Sequence, residues 1–539
     1  PGLAAAAAGA FGEAAAETLR TDPWALLALP GVRPDQADGF ARTLLGPAAG
    51  PGDPRRGQAL AVWLLEQAAL RGHSAQPAVE LGEGLAKLGV PEPEQALQEA
   101  VAEGRLLPFQ ELEPGHRPAA EDEEPPTRLL LALERLAMAE DAAAEGLVRL
   151  ISTFEPRLDE SWDQAAAGAS ASGAALIRAV AGSGLVLHTG DAAARAELAE
   201  LLTAARGLGL RVRAAAWTEH GRAALADPDS VTLEALLGPG GVDRAEDGTL
   251  ELDLLVVQDA PLLDLERAAT LVEALADSTR LVLSGDPAQL WSSGPGRLFA
   301  DLLAAKACPV VASRTPDLGP IGELVSGIGI GELNAVEAPD KEVVILTARD
   351  AGEAVHRAVQ LLTDSIPRAL GIPVEQTVLL TPGHGGAAGT RALNAAAKAK
   401  LNPGPGRFGG FDPGDRVVHS PLPGVSHPGT VRGGEPAGLR VALADGTELL
   451  LPPDGLDRLR HGWALTVHQA LGRRWPGAVV VLPEDAAAGL TRQWVYTAFG
   501  RAERHLSVVH AAGPALGQAV AERPGAPRTT RLRGLLAEE

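Results

Sequence analysis

The sequence predicts an α/β protein with two parallel-sheet regions, a helical region before them and a small β-barrel inserted in the second. Three observations carry this. From about 160 to 315, short apolar runs alternate with helical runs, as a parallel sheet with crossover helices requires. The alternation restarts near 320 and resumes at Ala464. Between those stretches, Phe411 to about Pro453 holds short alternating segments separated by Gly and Pro, the pattern of a small barrel.

Composition sets the outer bounds. A chain of 539 residues holds about three to five domains. Charged residues at 22% and hydrophobic residues at 46% are ordinary for a globular protein. No apolar run approaches the ~20 residues that cross a bilayer, and no secretory signal opens the chain. The single Cys308 excludes an internal disulfide framework, so a cytoplasmic location is expected. Pro1 stands where an initiating Met would be, which predicts a processed or trimmed start. A net charge of −22 leaves room for nucleic acid only in a local basic channel, with strong salt dependence.

In chain order, Thr21-Asp22-Pro23 caps a short helix and Asp35 to Leu45 forms another. The turn between them, Leu29 to Arg33, gives the outline of a helix-hairpin-helix whose amides around Gly31 can hold a DNA phosphate. A plain αα-hairpin fits the same residues. Pro54 to Ala69, Leu81 to Leu88 and Glu92 to Glu103 read as helices, and a strand-like Arg105 to Leu107 completes a winged-helix rhythm. Glu111 to Pro126 is acidic and Pro-rich, a linker by composition, and helix returns over Leu129 to Phe154. The strands of the first α/β region fall at Leu185 to His188, Leu210 to Ala216, Leu252 to Val257 and Leu281 to Ser284. Those of the second fall at Val343 to Leu346, Val378 to Thr381 and Ala478 to Leu482, with a helix over Arg391 to Leu401. Arg523 to Glu539, rich in Pro and Arg, is expected to fray.

The stretch Gly184 to Leu202 frames a phosphate-binding loop: strand, tight turn, helix. That loop needs G-x-x-x-x-G-K-[ST], because glycines let backbone amides close on phosphate, Lys neutralises charge and the hydroxyl holds Mg²⁺. Laid on this chain, the template places Thr189 at the first Gly, then Gly190, Asp191, Ala192 and Ala193. Ala194 falls at the second Gly, Arg195 at the Lys and Ala196 at the hydroxyl.

Several runs carry a family resemblance: GDPAQLWSSGPG (Gly285 to Gly296), TPGHGGAAGTRALNAAAKAKLNP (Thr381 to Pro403), DPGDRV (Asp412 to Val417), ALTVHQALGRRWP (Ala464 to Pro476) and VYTAFGRA (Val495 to Ala502). With DPWALLALPGVRPDQAD (Asp22 to Asp38) they occur in one order along nearly the whole chain. On them the chain resembles the RecD2-type helicases, superfamily 1B relatives of the exonuclease V alpha subunit. The resemblance implies two RecA-like P-loop-NTPase-fold domains, an N-terminal helix-hairpin-helix and winged-helix domain, and an SH3-like insert. The expected division is 1–110 N-terminal domain; 111–160 linker and helix; 161–318 first RecA-like domain; 319–407 and 459–515 second RecA-like domain; 408–458 insert; 516–539 tail. It implies ATP and Mg²⁺ as cofactors and single-stranded DNA as partner, with a protein partner in a repair or recombination complex a further possibility.

The departures from that family fall on phosphate and metal chemistry. Besides the loop, an expected Asp-Glu pair is Gln258-Asp259, and His-Lys-Ser-Gln-Gly-x-Glu becomes His468-Gln469-Ala470-Leu471-Gly472-Arg473-Arg474. Gly285, Asp286 and Gln289 of the coupling motif are kept; Arg501 stands at the arginine finger and Arg314 at the second phosphate arginine. Asp259 still suits one metal or base role. Phosphoryl transfer rests on positioning and charge around Mg²⁺, so the expectation is a pseudo-helicase that binds ATP and Mg²⁺ weakly or not at all. An active ATP-dependent 5′-to-3′ DNA helicase and a protein–protein scaffold are the alternatives.

Asp286 and Gln289 read equally as nucleotide sensors or as a strand-end turn, and Arg501 reads also as a structural ion pair. DNA contacts are expected at Gly31, Arg33, Thr218, Arg222, His468, Arg473 and Arg474, the last two adding charge where relatives meet DNA. Trp463, Trp475 and Trp494 suit base stacking or core packing. His461, His468, His505 and His510 lack zinc spacing, so no metal site is expected from them.

Overall fold

Runs such as Leu254–Gln258 and Arg280–Gly285 are buried at every position, so they can only be central strands covered on both faces. In the computed structural model, which describes residues 2–113, 126–156, 160–238, 241–421 and 424–537, they lie at the centre of a six-stranded sheet. Its order is Val231–Thr232, Val212–Ala216, Leu254–Gln258, Arg280–Gly285, Leu185–Thr189, Val310–Ala312, and every pairing is parallel. Two apolar clusters cover its faces, one around Leu187, Val257 and Leu283, the other around Val186, Val256 and Val282.

The second parallel sheet has five strands in the order Val343–Thr347, Ala502–His510, Trp475–Leu482, Thr377–Thr381, Ala464–Thr466. It too is covered on both faces. Within its chain span lies a five-stranded antiparallel sheet, Glu448–Leu451, Gly438–Leu443, His427–Glu435, Arg416–His419, Leu459–His461, with its own core of Val417, Val431, Val441 and neighbours. That sheet occupies the place where the sequence predicts a barrel. Among the described residues no helix is long and apolar enough to cross a membrane.

The N-terminal region packs the helices Pro34–Leu45, Pro54–Leu70, Ala78–Lys87 and Pro93–Ala102 around Trp24, Leu60 and Leu85. Asp22 accepts from the Trp24 amide, the cap that Asp-Pro predicts. The Leu29–Val32 turn closes with Val32 N donating to Leu29 O at 3.2 Å, and Gly31 takes φ +79° at the position where a type II turn needs it.

Three expectations change. Thr127–Ala132 is a strand, not helix; the helix starts at Glu134 and ends at Ser152. Leu and Ala favour helix locally, but this run is paired on both sides, with Ala75–Pro77 and Leu107–Leu112, and tertiary pairing overrides propensity. The expected linker therefore has strand residues at its margins, Glu111 and Leu112 among them; its middle, 114–125, lies outside the described residues. The third concerns the C-terminal segment, which is fixed rather than frayed. Leu532 and Leu536 join the core of the first sheet, and Thr530 and Arg531 are buried.

Candidate functional site: a cleft between the two parallel sheets

The carboxyl ends of parallel strands gather polar loops, and here they open toward a cleft closed from the other side by the second sheet unit. Gly190, Asp191, Ala192 and Arg195 line it after the strand Leu185–Thr189. Asp259 follows Leu254–Gln258, and Gly285, Asp286 and Gln289 end or follow Arg280–Gly285. Arg474, Tyr496 and Arg501 face them from the second unit. The cleft is narrow, with a cavity volume of about 50 Å³.

In the turn before the helix Arg195–Gly207 the amides from Ala193 on are engaged, while those of Asp191 and Ala192 have no hydrogen-bond partner among the described residues. Ala193 N donates to Asp191 Oδ1 at 3.2 Å and to Asp317 Oδ1 at 3.1 Å. Ala194, Arg195 and Ala196 amides donate to the carbonyls of Asp191, Ala192 and Ala193 at 3.2, 3.4 and 3.4 Å. Gly190 is required by close approach, since a Cβ there would sit 2.5 Å from the Ala194 Cβ and 2.8 Å from the Ser313 Cβ. Arg195 folds onto Gln258: with the amide oxygen turned toward the guanidinium, Nε and Nη2 donate to it at 2.7 and 3.3 Å. Beneath the turn, buried Glu197 meets His188 Nε2 at 2.8 Å and accepts from Ser313 Oγ at 2.5 Å and Thr315 Oγ1 at 2.8 Å.

Carboxylates crowd the cleft. Burial, then the neighbouring Asp317 and more weakly Asp286, push the Asp191 carboxyl up to about 7. Burial also raises Asp286, although it accepts from Tyr496 Oη at 2.6 Å and Ala288 N at 2.8 Å. Asp259 sits at φ +61°, and its buried Oδ2 has no hydrogen-bond partner among the described residues. Arg501 is buried and donates to Thr497 O and Arg473 O at 3.0 and 3.2 Å; burial, then Arg474, lower it to about 10. Among the described residues no group of three or more His, Cys, Asp or Glu side chains is arranged to hold a metal ion.

Thr189, Ala193, Ala194, Ala196 and Arg314 are not among the lining residues. Thr189 is held in the sheet between Gly285 and Ala312, Ala194 is buried, Ala196 is exposed on the first helical turn, and exposed Arg314 contributes its amide to Ser172 Oγ. Arg474, expected at DNA, lines this cleft and a second cavity, and donates to Ala502 O at 3.0 Å. Sequence reasoning missed Asp317 and Tyr496 as lining residues. Tyr496 lies inside a motif run that names it; nothing in the spacing points to Asp317.

The second cavity, about 670 Å³, lies where the two parallel sheets meet the antiparallel one. Trp217, Thr218, Arg416, Arg473 and Trp475 are among its walls. Thr218 caps the helix Glu219–Ala224 and donates to Gly472 O at 2.6 Å across the two units. Arg473 is buried and donates to Ser426 O, with Nη1 lacking a partner among the described residues. Arg222 pairs with Glu219 and lines neither cavity; nor does exposed His468, in the turn His468–Ala470. Gly31 and Arg33 sit apart in the N-terminal region, Arg33 in an exposed ion pair with Asp35 at 3.1 Å.

Family models match three stretches: a RecD2 DNA helicase HHH domain over 1–75, an AAA domain over 158–312 and a UvrD-like helicase C-terminal domain over 461–509. The chain is 30% identical over 535 residues to the ATP-dependent RecD2 DNA helicase of Deinococcus radiodurans, covering 91% of this chain and 70% of that one. It is 27% identical over 314 residues to the RecBCD enzyme subunit RecD of Mycolicibacterium smegmatis, covering 52% of this chain and 55% of that one. A solved Pif1 helicase in a study of unwinding at forked DNA aligns at 13% identity with TM-score 0.37, covering 66% of this chain and 92% of its own.

Proposed function

The chain belongs to the ATP-dependent RecD2 DNA helicase family, and from that premise we propose that it is a DNA-binding member whose ATP turnover is weak or absent. The observation that carries this reading is the turn at Gly190–Ala196. A phosphate cradle needs free amides pointing at the ligand, whereas the amides of Ala193 to Ala196 are all bonded within the protein.

The residues present fit a magnesium triphosphate poorly. Ala196 offers no hydroxyl to a metal, Gln258 no charge, and Asp317 holds its carboxylate against the loop where anionic oxygens would have to come. Arg195 is engaged with Gln258, and a planar guanidinium does not replace a compact ammonium at such a site. The lining of the second cavity supports a DNA role: its walls carry Arg473, with a nitrogen unpartnered among the described residues, and the indoles of Trp217 and Trp475, side chains that suit phosphate and base surfaces.

A second reading, an active ATP-dependent helicase, is favoured by one observation: Asp259, Gln289 and Arg501 come to one cleft. Calorimetry with Mg²⁺-ATP, together with DNA-stimulated phosphate release, separates the two. No binding heat and no release support the proposal; release at a rate that sustains translocation overturns it. A salt titration of single-stranded DNA binding addresses the scaffold alternative, because affinity that is absent or indifferent to salt rules out a DNA groove.

A further inference from the structure

The C-terminal segment is short, basic and polar, yet it is bonded to the rest of the molecule at each residue from Arg528 to Leu532. Arg528 reaches three carbonyls of one loop: Nη2 donates to Ser292 O at 2.6 Å, and Nη1 to Gly294 O and Gly296 O at 3.1 and 2.7 Å. Its guanidinium also lies 5.4 Å from the Trp291 ring centroid. The next residues turn to the N-terminal region. Thr529 N donates to His73 Nδ1 at 3.1 Å, and Thr529 O accepts from Ser74 N at 3.0 Å. Thr530 Oγ1 then donates to Asp301 Oδ2 at 2.7 Å. The Arg531 and Leu532 amides donate to Glu140 Oε1 at 2.8 and 3.1 Å, and the same carboxylate accepts from Ser74 Oγ.

The loop so gripped has a second commitment. Its other end carries Asp286 and Gln289 into the cleft, and there it bonds the second sheet unit. Tyr496 donates to Asp286, Leu290 N donates to Thr497 Oγ1 at 2.8 Å, and Gln493 Nε2 donates to Gln289 O at 2.6 Å. Gly296 N in turn donates to Gly72 O at 2.9 Å, beside His73. One segment therefore bonds both the N-terminal region and the loop that spans the cleft.

We propose that Arg528–Leu532 is a splint that makes the N-terminal helical region and the Gly285–Gly296 loop move as one body, so that a load on the N-terminal region is felt at the cleft. The splint is independent of whether nucleotide binds. Its physical basis is that the bonds come from one continuous backbone stretch. Ordering that stretch at either end lowers the entropy cost of holding the other.

The test is hydrogen exchange by mass spectrometry on the full chain, using substitutions that each touch one end. Arg528→Ala removes the grip on the loop carbonyls and their tryptophan, and with it the packing of the guanidinium against Gly72. It is expected to speed exchange about tenfold in peptides covering 74–77, beyond Gly72, where the Ser74 amide is held by Thr529 O and not by Arg528. His73→Ala removes the acceptor of Thr529 N and is expected to speed exchange to a similar degree over 286–292. Peptides over 478–482, in the second sheet, stay unchanged in both. If each substitution speeds exchange only in the peptide it touches, the splint is refuted. A chain ending at Pro527 should lose protection at both places and regain it when a peptide of residues 526–537 is added. If that truncated chain does not fold, the two point variants decide the matter alone.

Discussion

Two loops leave strands of the same sheet side by side, and they have opposite relations to the rest of the molecule. From Ala193 on, the turn at Gly190–Ala196 bonds chiefly to itself: the amides of Ala193 to Ala196 find the carbonyls of Asp191, Ala192 and Ala193 and the carboxylates of Asp191 and Asp317. The loop at Gly285–Gly296 bonds outward, to Tyr496, Thr497 and Gln493 across the cleft and to Arg528 behind it. By sequence resemblance, the first carries Ala194, Arg195 and Ala196 where a phosphate loop needs Gly, Lys and a hydroxyl, and the second keeps the Gly285, Asp286 and Gln289 of the coupling motif. Residues whose work is to hold a ligand can change without harm to the fold when the ligand is not needed. Residues that hold other parts of the protein cannot, because a buried donor or acceptor left alone costs free energy in every molecule.

The largest test of that contrast is Asp286→Ala. It strips the buried partner of Tyr496 Oη and Ala288 N, and should cost about 2 kcal/mol of stability, read by urea unfolding of the whole chain. A loss within error would mean the outward bonds of this loop are incidental.

Asp191→Asn gives a smaller, pH-dependent effect. The Asp191 carboxyl is raised to about 7 in the folded chain by burial and by Asp317, above its ordinary value of 3.8. The folded state thus favours the protonated form. That contribution is complete below pH about 4, the unfolded value, and is lost as pH climbs to 7. The amide removes the loss, so it should raise Tm at pH 8 and leave Tm at pH 4 nearly unchanged. A rise of equal size at both values would contradict the assigned cause.

Smaller still is the expected gain from Arg195→Lys with Ala196→Thr. Placing an ammonium and a hydroxyl there leaves the Ala193 to Ala196 amides engaged, so Mg²⁺-ATP binding should stay weaker than about 1 mM by calorimetry. Micromolar binding would show that two side chains, not the closed turn, separate this cleft from a working one. The smallest effect is expected at Arg222→Ala. Glu219 already neutralises that guanidinium, so single-stranded DNA affinity should change by less than about 0.5 kcal/mol.

Much of this was legible along the chain. Buried strands announce themselves as unbroken apolar runs, so Leu254–Gln258 and Trp475–Leu482 were readable within a residue or three. Because parallel strands point their carboxyl ends one way, Gly190, Asp259, Asp286 and Gln289 were bound to face a common edge. Thr127–Ala132 was misread because leucine and alanine carry a helical preference that only its two pairing partners reverse.

Local periodicity and the handedness of strand–helix crossovers are enough to set the order of units and the edge at which polar loops gather. Only the folding of distant segments together puts Asp317 against the Gly190–Ala196 turn, turns Arg474 to the cleft, and sets a half-buried Arg528 among the carbonyls of Ser292, Gly294 and Gly296. Those contacts join residues more than a hundred positions apart. Their partners are mostly backbone groups, which every residue carries alike, so no spacing of side chains along the chain could have encoded them.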